Sequence, residues 1–331
     1  MKQAVSIGVL GAGAWGMSLS RLLSNAGHKI TVWSALEKEV DGLSILRRHP
    51  TLPGMEIPEE IEFTKDIQEA CSNKDIILFV VPAPYVRATA RAARPFVRKG
   101  QIIVDVAKGI EEKTLFTMTE VIKDEIGKDV QLVALSGPSL ATEVSKDLPT
   151  TIVSASEDIA VAEYIQDVFM CDELRVYTNP DVKGVELCGA MKNILALVAG
   201  VATGLGVGDC AKAALMTRGM YEITDLGIAM GCHKRTFYGL AGIGDLIVTA
   251  TSLHSRNNKC GRLIGRGISP EDAVAQLGED IEGVVTLPLA IQMMEKYQID
   301  MPILSALNDV FNGKNPQDVV HELMTMPKKA E

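Results

Sequence analysis

The chain has 331 residues, 47% of them hydrophobic and 23% charged, which is the composition of a globular protein with a substantial buried core. This length indicates two or three domains. Lysine and arginine total 33 against 42 acidic residues, and the resulting net charge of −9 argues against nucleic acid as a general partner.

The cysteines and the N-terminus indicate a reducing compartment. The six cysteines form no CxxC pair and no histidine falls at zinc-finger spacing, so we expect thiols without a bound metal. Met1-Lys2-Gln3 leads directly into an apolar strand, without the features of a signal peptide. The apolar stretch Leu187–Gly206 contains Lys192 and four glycines, which argues against a membrane span. We therefore expect a cytoplasmic protein.

The first 33 residues predict a strand, a glycine turn, a helix and a second strand. Ala4–Leu10 is a short apolar run typical of a buried parallel strand. Gly11–Gly16 reads GAGAWG, which matches GxGxxG, and a helical pattern then runs to Gly27 before the second strand, Lys29–Trp33. In this context the glycines allow close approach of a pyrophosphate to a helix N-terminus. The alternative is a tight turn without a ligand.

Further apolar runs predict more strands with helices between them. The strands are expected at Asp75–Val81, Gln101–Val106, Gln131–Leu135, Thr150–Ser154 and Leu174–Thr178, and helical patterns cover Tyr85–Ala93 and Leu115–Ile126. This alternation predicts an α/β fold with a doubly wound, Rossmann-type parallel sheet.

Ligands of such sheets bind beyond the carboxyl ends of the strands. Lys108 and the segment Gly137-Pro138-Ser139 both lie just past such ends, although Lys108 alone is equally consistent with a solvated loop residue. The turn Asn179-Pro180-Asp181 marks the expected boundary between a dinucleotide-binding domain, 1–180, and a second domain, 181–331.

The second half of the chain predicts an all-helical C-terminal domain. Helical patterns cover residues 183–203, 210–231, 239–250, 256–265, 270–277, 286–297 and 303–311. The first of these is apolar nearly all round, so it should be buried. Lys192 stands in its middle and Asn193 follows it. Lys192 either extends its amine to the surface or serves a site that handles a hydroxyl or carbonyl group.

Three other polar segments of this half have two readings each. Arg218 and Glu222 stand at i,i+4, and a plain helix ion pair is the favoured interpretation. Asp245 follows three closely spaced glycines, either in a tightly packed segment or in the first turn of a helix. The stretch Ser255-Arg256-Asn257 suits a phosphate-binding helix start or an ordinary N-cap with a solvated arginine.

Seven stretches together form a more specific pattern than GxGxxG alone. They are Gly11–Gly16 (GAGAWG), Val104–Gly109 (VDVAKG), Ser136–Ala141 (SGPSLA), Gly184–Asn193 (GVELCGAMKN), Ala213–Gly219 (AALMTRG), Gly239–Asp245 (GLAGIGD) and Ser255–Asn257 (SRN). In this order, and over nearly the whole chain, they resemble the bacterial-type NAD(P)-dependent sn-glycerol-3-phosphate dehydrogenases.

The resemblance implies a role for each matched residue. Lys192 is implied as the catalytic proton-transfer residue, with Asp245 beside it. The substrate would contact Lys192, Asp245, Lys108, Gly137 and Ser139, and its phosphate end would contact Ser255, Arg256 and Asn257. The cofactor would contact Gly11, Gly13, Ala14, Trp15, Gly16, Ala35, Lys108, Ala141, Arg256, Asp280 and Glu282. Asp280 stands where the family has valine, and Asp209-Cys210 stand where it often has asparagine.

The choice between NAD and NADP depends on the end of the second strand. This end reads Trp33-Ser34-Ala35-Leu36-Glu37-Lys38, with neither the acid of NAD sites nor the arginine of NADP sites in the expected place. Ser34 and Lys38 suit a 2′-phosphate, whereas Glu37 suits a ribose. We expect use of both cofactors.

The implied reaction is hydride transfer between NAD(P)H and C2 of glycerone phosphate, giving sn-glycerol 3-phosphate for phospholipid synthesis. The resemblance also implies a homodimer. One alternative is a 3-hydroxyacid or 6-phosphogluconate dehydrogenase, which also combines a Rossmann domain with a helical domain and a Lys-Asn helix. A non-enzymatic alternative is a dinucleotide-sensing regulator, which would have no use for a buried lysine.

Overall fold

The computed structural model describes residues 4–127, 129–252, 254–278 and 281–328. Within these ranges the chain divides into two compact units, between Glu186 and Leu187. The described part of the first unit combines strands and helices, and that of the second is helical. This order confirms the predicted Rossmann-type α/β domain followed by a helical domain.

The described residues of the first unit form an eight-stranded sheet. Its strands are β1 Ser6–Leu10, β2 Lys29–Trp33, β3 Glu62–Thr64, β4 Ile76–Phe79, β5 Ile102–Asp105, β6 Gln131–Ser136, β7 Thr150–Ala155 and β8 Leu174–Asn179. The order across the sheet is β3-β2-β1-β4-β5-β6-β7-β8. Ile7 of β1 pairs with Ile30 on one side and with Ile76 on the other. The strand order therefore reverses at β1 and β4, which is where doubly wound sheets bind ligands.

β7 and β8 run against the other strands, which corrects the prediction of a wholly parallel sheet. β6 and β7 pair antiparallel, with Ser136 opposite Val153, and β8 is parallel to β7. The link between β6 and β7 contains the one-turn helix α6, Ala141–Val144. A parallel crossover normally needs a helix long enough to return along the sheet. The short α6 instead lets the chain turn back beside β6.

Helices cover both faces of the sheet. Besides α6, they are α1 Ala14–Asn25, α2 Glu37–Leu46, α3 Ile67–Cys71, α4 Val86–Ala93, α5 Met118–Ile126 and α7 Ile159–Phe169. Successive strand residues point to opposite faces, so Ile76 and Leu78 of β4 pack in one hydrophobic cluster and Ile77 and Phe79 in another. Burial on both faces explains why these strands read as unbroken apolar runs.

The predicted strands match the observed ones to within two residues at each end, and β3 was missed. β3 has three residues at the sheet edge, and its Glu62 is exposed, so it is too short to show a period-two pattern. The helix predicted from Leu115 begins at Met118 instead. Thr117 caps it, because the Thr117 backbone N–H donates to Glu120 in a capping box.

The second unit contains most of a long helix, α8, Val182–Leu205, together with the remaining helices. These are α9 Asp209–Ala229, α10 Lys234–Phe237, α11 Asp245–Thr251, α12 Arg256–Gly265, α13 Pro270–Leu277, α14 Glu282–Tyr297, α15 Pro302–Phe311 and α16 Pro316–Met324. The predicted helix 239–250 is divided, since a π-helical turn at Leu240–Gly244 precedes α11. The sequence patterns missed α10 and α16 and began α14 four residues late.

α8 is the buried helix that its composition predicts. It is long and apolar enough to span a membrane. However, 94% of its most apolar 18-residue segment is buried within the structure, as in the core helix of a globular protein. Where α12 crosses it, the two backbones touch. A Cβ placed on Gly200 would lie 2.3 Å from the carbonyl oxygen of Asn258, and one on Gly261 would lie 2.2 Å from that of Leu197. Gly204 and Gly265 make the same kind of contact one turn further on.

Candidate active site

The glycine loop between β1 and α1 has the geometry that a pyrophosphate requires. Gly11 has a φ of +125°, and its N–H donates to the Trp33 carbonyl at 2.8 Å. A Cβ on Gly16 would lie 2.3 Å from the carbonyl oxygen of Gly11, so only glycine allows α1 to approach β1 this closely. A Cβ on Gly13 would meet no heavy atom within 4 Å, which leaves this side of the loop open. These three roles fit a bound dinucleotide.

The first turn of α1 carries two further residues that the sequence assigns to the cofactor. Ala14 and Trp15 are half-buried at this N-terminus. Ala14 accepts a hydrogen bond from Ser18 Oγ, and the same hydroxyl lies 3.1 Å from the carbonyl of Ala141. Ser18 therefore joins the glycine-loop helix to the start of α6, which places Ala141 next to the loop.

The end of β2 holds an acidic side chain that the sequence analysis overlooked. Ser34 Oγ donates to Glu39 Oε2 at 2.5 Å and accepts from the Leu36 N–H at 3.2 Å. Ala35, Glu37 and Lys38 are exposed beside this pair. Glu39 lies in the first turn of α2, two positions beyond Glu37, the acid that the sequence offered for the ribose. An acid at this strand end suits the ribose hydroxyls of NAD.

A second overlooked residue, His49, lies against the glycine loop. Its Nδ1 accepts from the Thr51 N–H at 3.3 Å, so the neutral ring carries its proton on Nε2. Burial lowers the pKa of His49, and the ring also interacts with the backbone of Ala12 in the loop. No local sequence pattern marks this histidine, because thirty-odd residues separate it from the loop along the chain.

The ends of β5 and β6 bring three of the predicted substrate residues together. Lys108 Nζ donates to the Gly137 carbonyl oxygen at 3.2 Å, and Ser139 Oγ donates to the same oxygen at 3.0 Å. Gly137 has a φ of +133°, a conformation that L side chains rarely adopt. Lys108 is therefore a half-buried, bonded side chain rather than a solvated loop residue.

In the second unit, Lys192 and Asp245 form a buried ion pair. Lys192 Nζ lies 2.5 Å from Asp245 Oδ1 and 2.9 Å from Thr249 Oγ1. Lys192 is 7% exposed and Asp245 is fully buried, so the lysine does not extend to the surface. Asp245 begins α11 directly after the π-helical turn, and Thr249 is one turn further along the same face. The Thr249 hydroxyl donates to the Asp245 carbonyl at 2.7 Å, so it accepts from Lys192.

The start of α12 carries the predicted phosphate-binding segment. Ser255 is the N-cap of this helix, and its Oγ accepts from the Asn258 N–H at 3.3 Å. Arg256, the first helical residue, is exposed. Asn257 is 7% exposed, and its amide is held on both sides. Its Nδ2 donates to Asn193 Oδ1 at 3.0 Å, and its Oδ1 accepts from the Gly283 N–H at 2.9 Å.

Asn193 and Glu282 complete this hydrogen-bonded chain. Asn193 Nδ2 donates to Glu282 Oε2 at 2.7 Å, at the start of α14. The sequence assigned Glu282 to the cofactor, and the structure places its carboxylate on the residue that follows Lys192. Asp280 lies outside the described residues.

Two other glutamates are buried at helix N-termini. Glu186 accepts from the N–H of Thr119, at 2.8 Å, and from its hydroxyl, at 2.5 Å, in the first turn of α5. Glu222 accepts from the N–H groups of Ile303 and Leu304 in the first turn of α15, at 2.9 and 3.3 Å. Burial raises the pKa of each glutamate to about 7, against the opposing effect of these hydrogen bonds.

The position of Glu222 corrects the ion pair expected with Arg218. Among the described residues the two side chains form no salt bridge, because Glu222 turns toward α15. The Arg218 guanidinium instead lies over the ring of Tyr221, 5.3 Å from its centroid. The i,i+4 spacing allowed the pair, but two buried N–H groups are stronger competitors for a buried carboxylate than a solvated guanidinium.

The matches to known families cover most of the chain. The model described as NAD-dependent glycerol-3-phosphate dehydrogenase N-terminus matches residues 6–162, and the one described as the C-terminus of the same enzyme matches residues 181–321.

Individual relatives agree with these models. A glycerol-3-phosphate dehydrogenase [NAD(P)+] of Lactobacillus delbrueckii subsp. bulgaricus is 58% identical over 331 residues, covering 98% of both chains. One of Fusobacterium nucleatum is 45% identical over 330 residues, covering 99% of this chain and 98% of the relative. The crystal structure of a glycerol-3-phosphate dehydrogenase from Coxiella burnetii is 33% identical, covers 98% of this chain and 99% of its own, and has a TM-score of 0.91.

Proposed function

The chain belongs to the NAD-dependent glycerol-3-phosphate dehydrogenase family, and on this basis we propose that it reduces glycerone phosphate to sn-glycerol 3-phosphate with NADH or NADPH. The observation that carries the proposal is the buried pair of Lys192 and Asp245, since a family member that only sensed dinucleotides would not need a buried lysine. The product is the head-group precursor of phospholipids.

Lys192 transfers the proton in the proposed reaction. When bound, the nicotinamide supplies the hydride that reduces C2. Lys192, as an ammonium ion, donates a proton to the C2 oxygen, and in the reverse direction its amine takes that proton back. Asp245 stabilises the cationic form and fixes the direction of the amine at 2.5 Å. Thr249 contributes a second acceptor at 2.9 Å and so restricts the lysine further.

The N-terminus of α12 binds the phosphate group in the proposed complex. The backbone N–H groups and the positive dipole end at the start of this helix attract an anion, and the exposed Arg256 adds a charge-assisted hydrogen bond. Ser255 stabilises the same turn as its N-cap. Because the Asn257 amide is already bound on both sides, we assign its contact with phosphate to the backbone N–H. Lys108, Gly137 and Ser139 are the proposed substrate contacts of the first unit.

The cofactor residues proposed from the sequence lie in and around the glycine loop. They are Gly11, Gly13, Ala14, Trp15, Gly16, Ala35, Lys108 and Ala141, with Arg256 and Glu282 from the helical unit. We propose 1–180 as the dinucleotide-binding domain and 181–331 as the helical domain that binds substrate. We also propose a cytoplasmic homodimer, and a monomer in light scattering at micromolar concentration would refute the dimer.

Steady-state assays test the function directly. The purified chain should oxidise NADH and NADPH in the presence of glycerone phosphate. It should show little activity with 3-hydroxyisobutyrate or 6-phosphogluconate in the oxidative direction. A higher kcat/KM with either of those substrates would favour the related dehydrogenases, and normal cofactor binding without turnover of any of the three would favour the dinucleotide-sensing regulator.

A further inference from the structure

The residue after Lys192 connects the starts of two other helices. Asn193 is 3% exposed, and its amide is bound at both ends, to Glu282 of α14 at 2.7 Å and to Asn257 of α12 at 3.0 Å. Asn257 continues the chain to the Gly283 N–H at 2.9 Å. All of these groups lie in the helical unit. A buried chain of hydrogen bonds with both ends anchored holds its members in one arrangement.

The direction of these bonds is set by Glu282. An ionised carboxylate can only accept, so Asn193 must present its NH₂ group to Glu282 and its carbonyl oxygen to Asn257. Asn257 must then direct its own NH₂ group to Asn193, which leaves its oxygen for the Gly283 N–H. An amide at position 193 is therefore required for its donor and its acceptor together, and a carboxylate of the same shape would face Glu282 with like charge.

The glycine contacts between α8 and α12 restrict the movement of the rest of α12 relative to α8. Gly200 and Gly204 of α8 meet Gly261 and Gly265 of α12 backbone to backbone. These contacts hold the middle and the end of α12, and the Asn193–Asn257 bond holds its beginning. The first turn of α12 carries Arg256, the proposed phosphate ligand.

We propose that Asn193 is a positioning residue, which fixes Arg256 and the first turn of α12 relative to its neighbour Lys192. This inference rests on the proposed function. A three-carbon phosphate bound by its phosphate group brings its C2 oxygen to Lys192 only if the separation of the two binding points is constant. A loosened α12 start therefore weakens phosphate binding and misaligns the proton transfer at the same time.

The substitution Asn193→Asp tests this with almost no change of shape. We expect kcat/KM for glycerone phosphate to fall about 100-fold, in both kcat and KM, as for a misplaced reacting group. The dissociation constant of NADH, measured by fluorescence, should stay within a few-fold. Glu282→Gln alone keeps an acceptor for Asn193 in its amide oxygen. Because Glu282 is also a proposed cofactor contact, the kcat/KM of this variant and its dissociation constant for NADH are the reference values for the double variant.

The double variant Asn193→Asp with Glu282→Gln supplies the rescue. The new amide at position 282 donates to the new carboxylate at position 193, which still accepts from Asn257, so both bonds return with one direction reversed. Activity should recover to within tenfold of that of Glu282→Gln alone. Glu282→Gln should likewise rescue Asn257→Asp, since the amide of Asn193 can then turn over. A purely structural role predicts lower thermal stability without a change in KM, which would overturn the proposal.

A cycle with Arg256→Ala separates positioning from general damage. If Asn193 acts through the start of α12, Asn193→Asp should raise KM much less in the Arg256→Ala background than in the parent. Independent, multiplying effects would overturn the positioning role, as would an unchanged Asn193→Asp enzyme or an absence of rescue. A parent chain inactive on glycerone phosphate refutes the proposed function itself, and the positioning role with it.

Discussion

Lys192 Nζ lies 2.5 Å from a carboxylate oxygen of Asp245, and the side chain of Asp245 has no exposed surface. A charge buried to this degree is stable only while its partner is present. A substitution of either residue should therefore affect both the stability of the fold and the reaction. Both effects must be measured for each variant.

Lys192→Ala should lose turnover by about 10²–10⁴-fold, mostly in kcat, since it removes a positioned acid-base group. It should also lower the free energy of unfolding by roughly 3–5 kcal/mol, because Asp245 is left as an uncompensated buried charge. Steady-state kinetics and urea unfolding of the same preparation measure both effects.

The control for Lys192→Ala is the double variant Lys192→Met with Asp245→Asn. It should regain much of the lost stability but remain inactive. Turnover of Lys192→Ala within tenfold of the parent would exclude Lys192 as the proton-transfer residue.

Arg256→Ala should raise KM for glycerone phosphate far more than the dissociation constant of NADH. The loss of one charge-assisted hydrogen bond costs roughly 1.5–3 kcal/mol, or about 10–150-fold. Arg266→Ala is the matched control, since it removes an equal, exposed charge just beyond the other end of α12. If both variants change KM equally, Arg256 acts only through the net charge of the surface.

Glu186 should make stability depend on pH. Its pKa is about 7 in the folded chain and about 4.3 in an unfolded one. Between these values the unfolded chain has released a proton that the folded chain still holds, so the free energy of unfolding falls as pH rises. Glu186→Gln removes this titration and keeps an acceptor for the Thr119 N–H.

Relative to the parent, Glu186→Gln should therefore gain about 3 kcal/mol between pH 4 and pH 8. Urea unfolding across this range measures the difference. The same substitution at the exposed Glu112 is the control and should leave the slope unchanged. Parallel curves for the parent and Glu186→Gln would contradict the assignment.

Glu39 should influence the choice of cofactor. We expect the parent to use both NADH and NADPH, with kcat/KM values that differ by less than about a thousandfold, or roughly 4 kcal/mol. Glu39→Gln removes the acid at the end of β2 and should improve KM for NADPH relative to NADH by about tenfold. Glu37→Gln, at an exposed position, should have a smaller effect. Equal effects of the two would indicate only a general change in surface charge.

The sequence predicts best where one short segment decides the structure. The β1, glycine loop, α1 and β2 region follows from GxGxxG with its flanking apolar runs, and β2 was predicted at its observed ends. α12 and α13 were also predicted at their observed ends, because serine N-caps mark their starts. The apolar stretch Gly184–Gly200, in which Lys192 is the one lysine, was sufficient to select this residue.

Contacts between distant segments could not be read in this way. The direction of β7 depends on how far α6 can carry the chain, and Glu186 and Glu222 bind N–H groups 67 and 81 residues away. Thr249 lies one turn from Asp245, and this i,i+4 spacing was the signal that could have found it. No sequence pattern predicts that the side chain of Asn257 is buried, because side chains in the first turn of a helix are usually exposed.

The backbone contact between α8 and α12 has a consequence for how this enzyme can vary. The atoms that an added methyl group would meet at Gly200, Gly204, Gly261 and Gly265 are main-chain atoms, which no rotamer change can move aside. In a saturation-mutagenesis library, under a selection in which growth depends on the activity of this enzyme, we therefore expect no replacement at these four sites to survive, alanine included. Gly206 and Gly267 would meet no atom within 4 Å and have positive φ values, so asparagine should survive there. The helix crossing would then appear in such data as four intolerant positions, two on each helix and four residues apart.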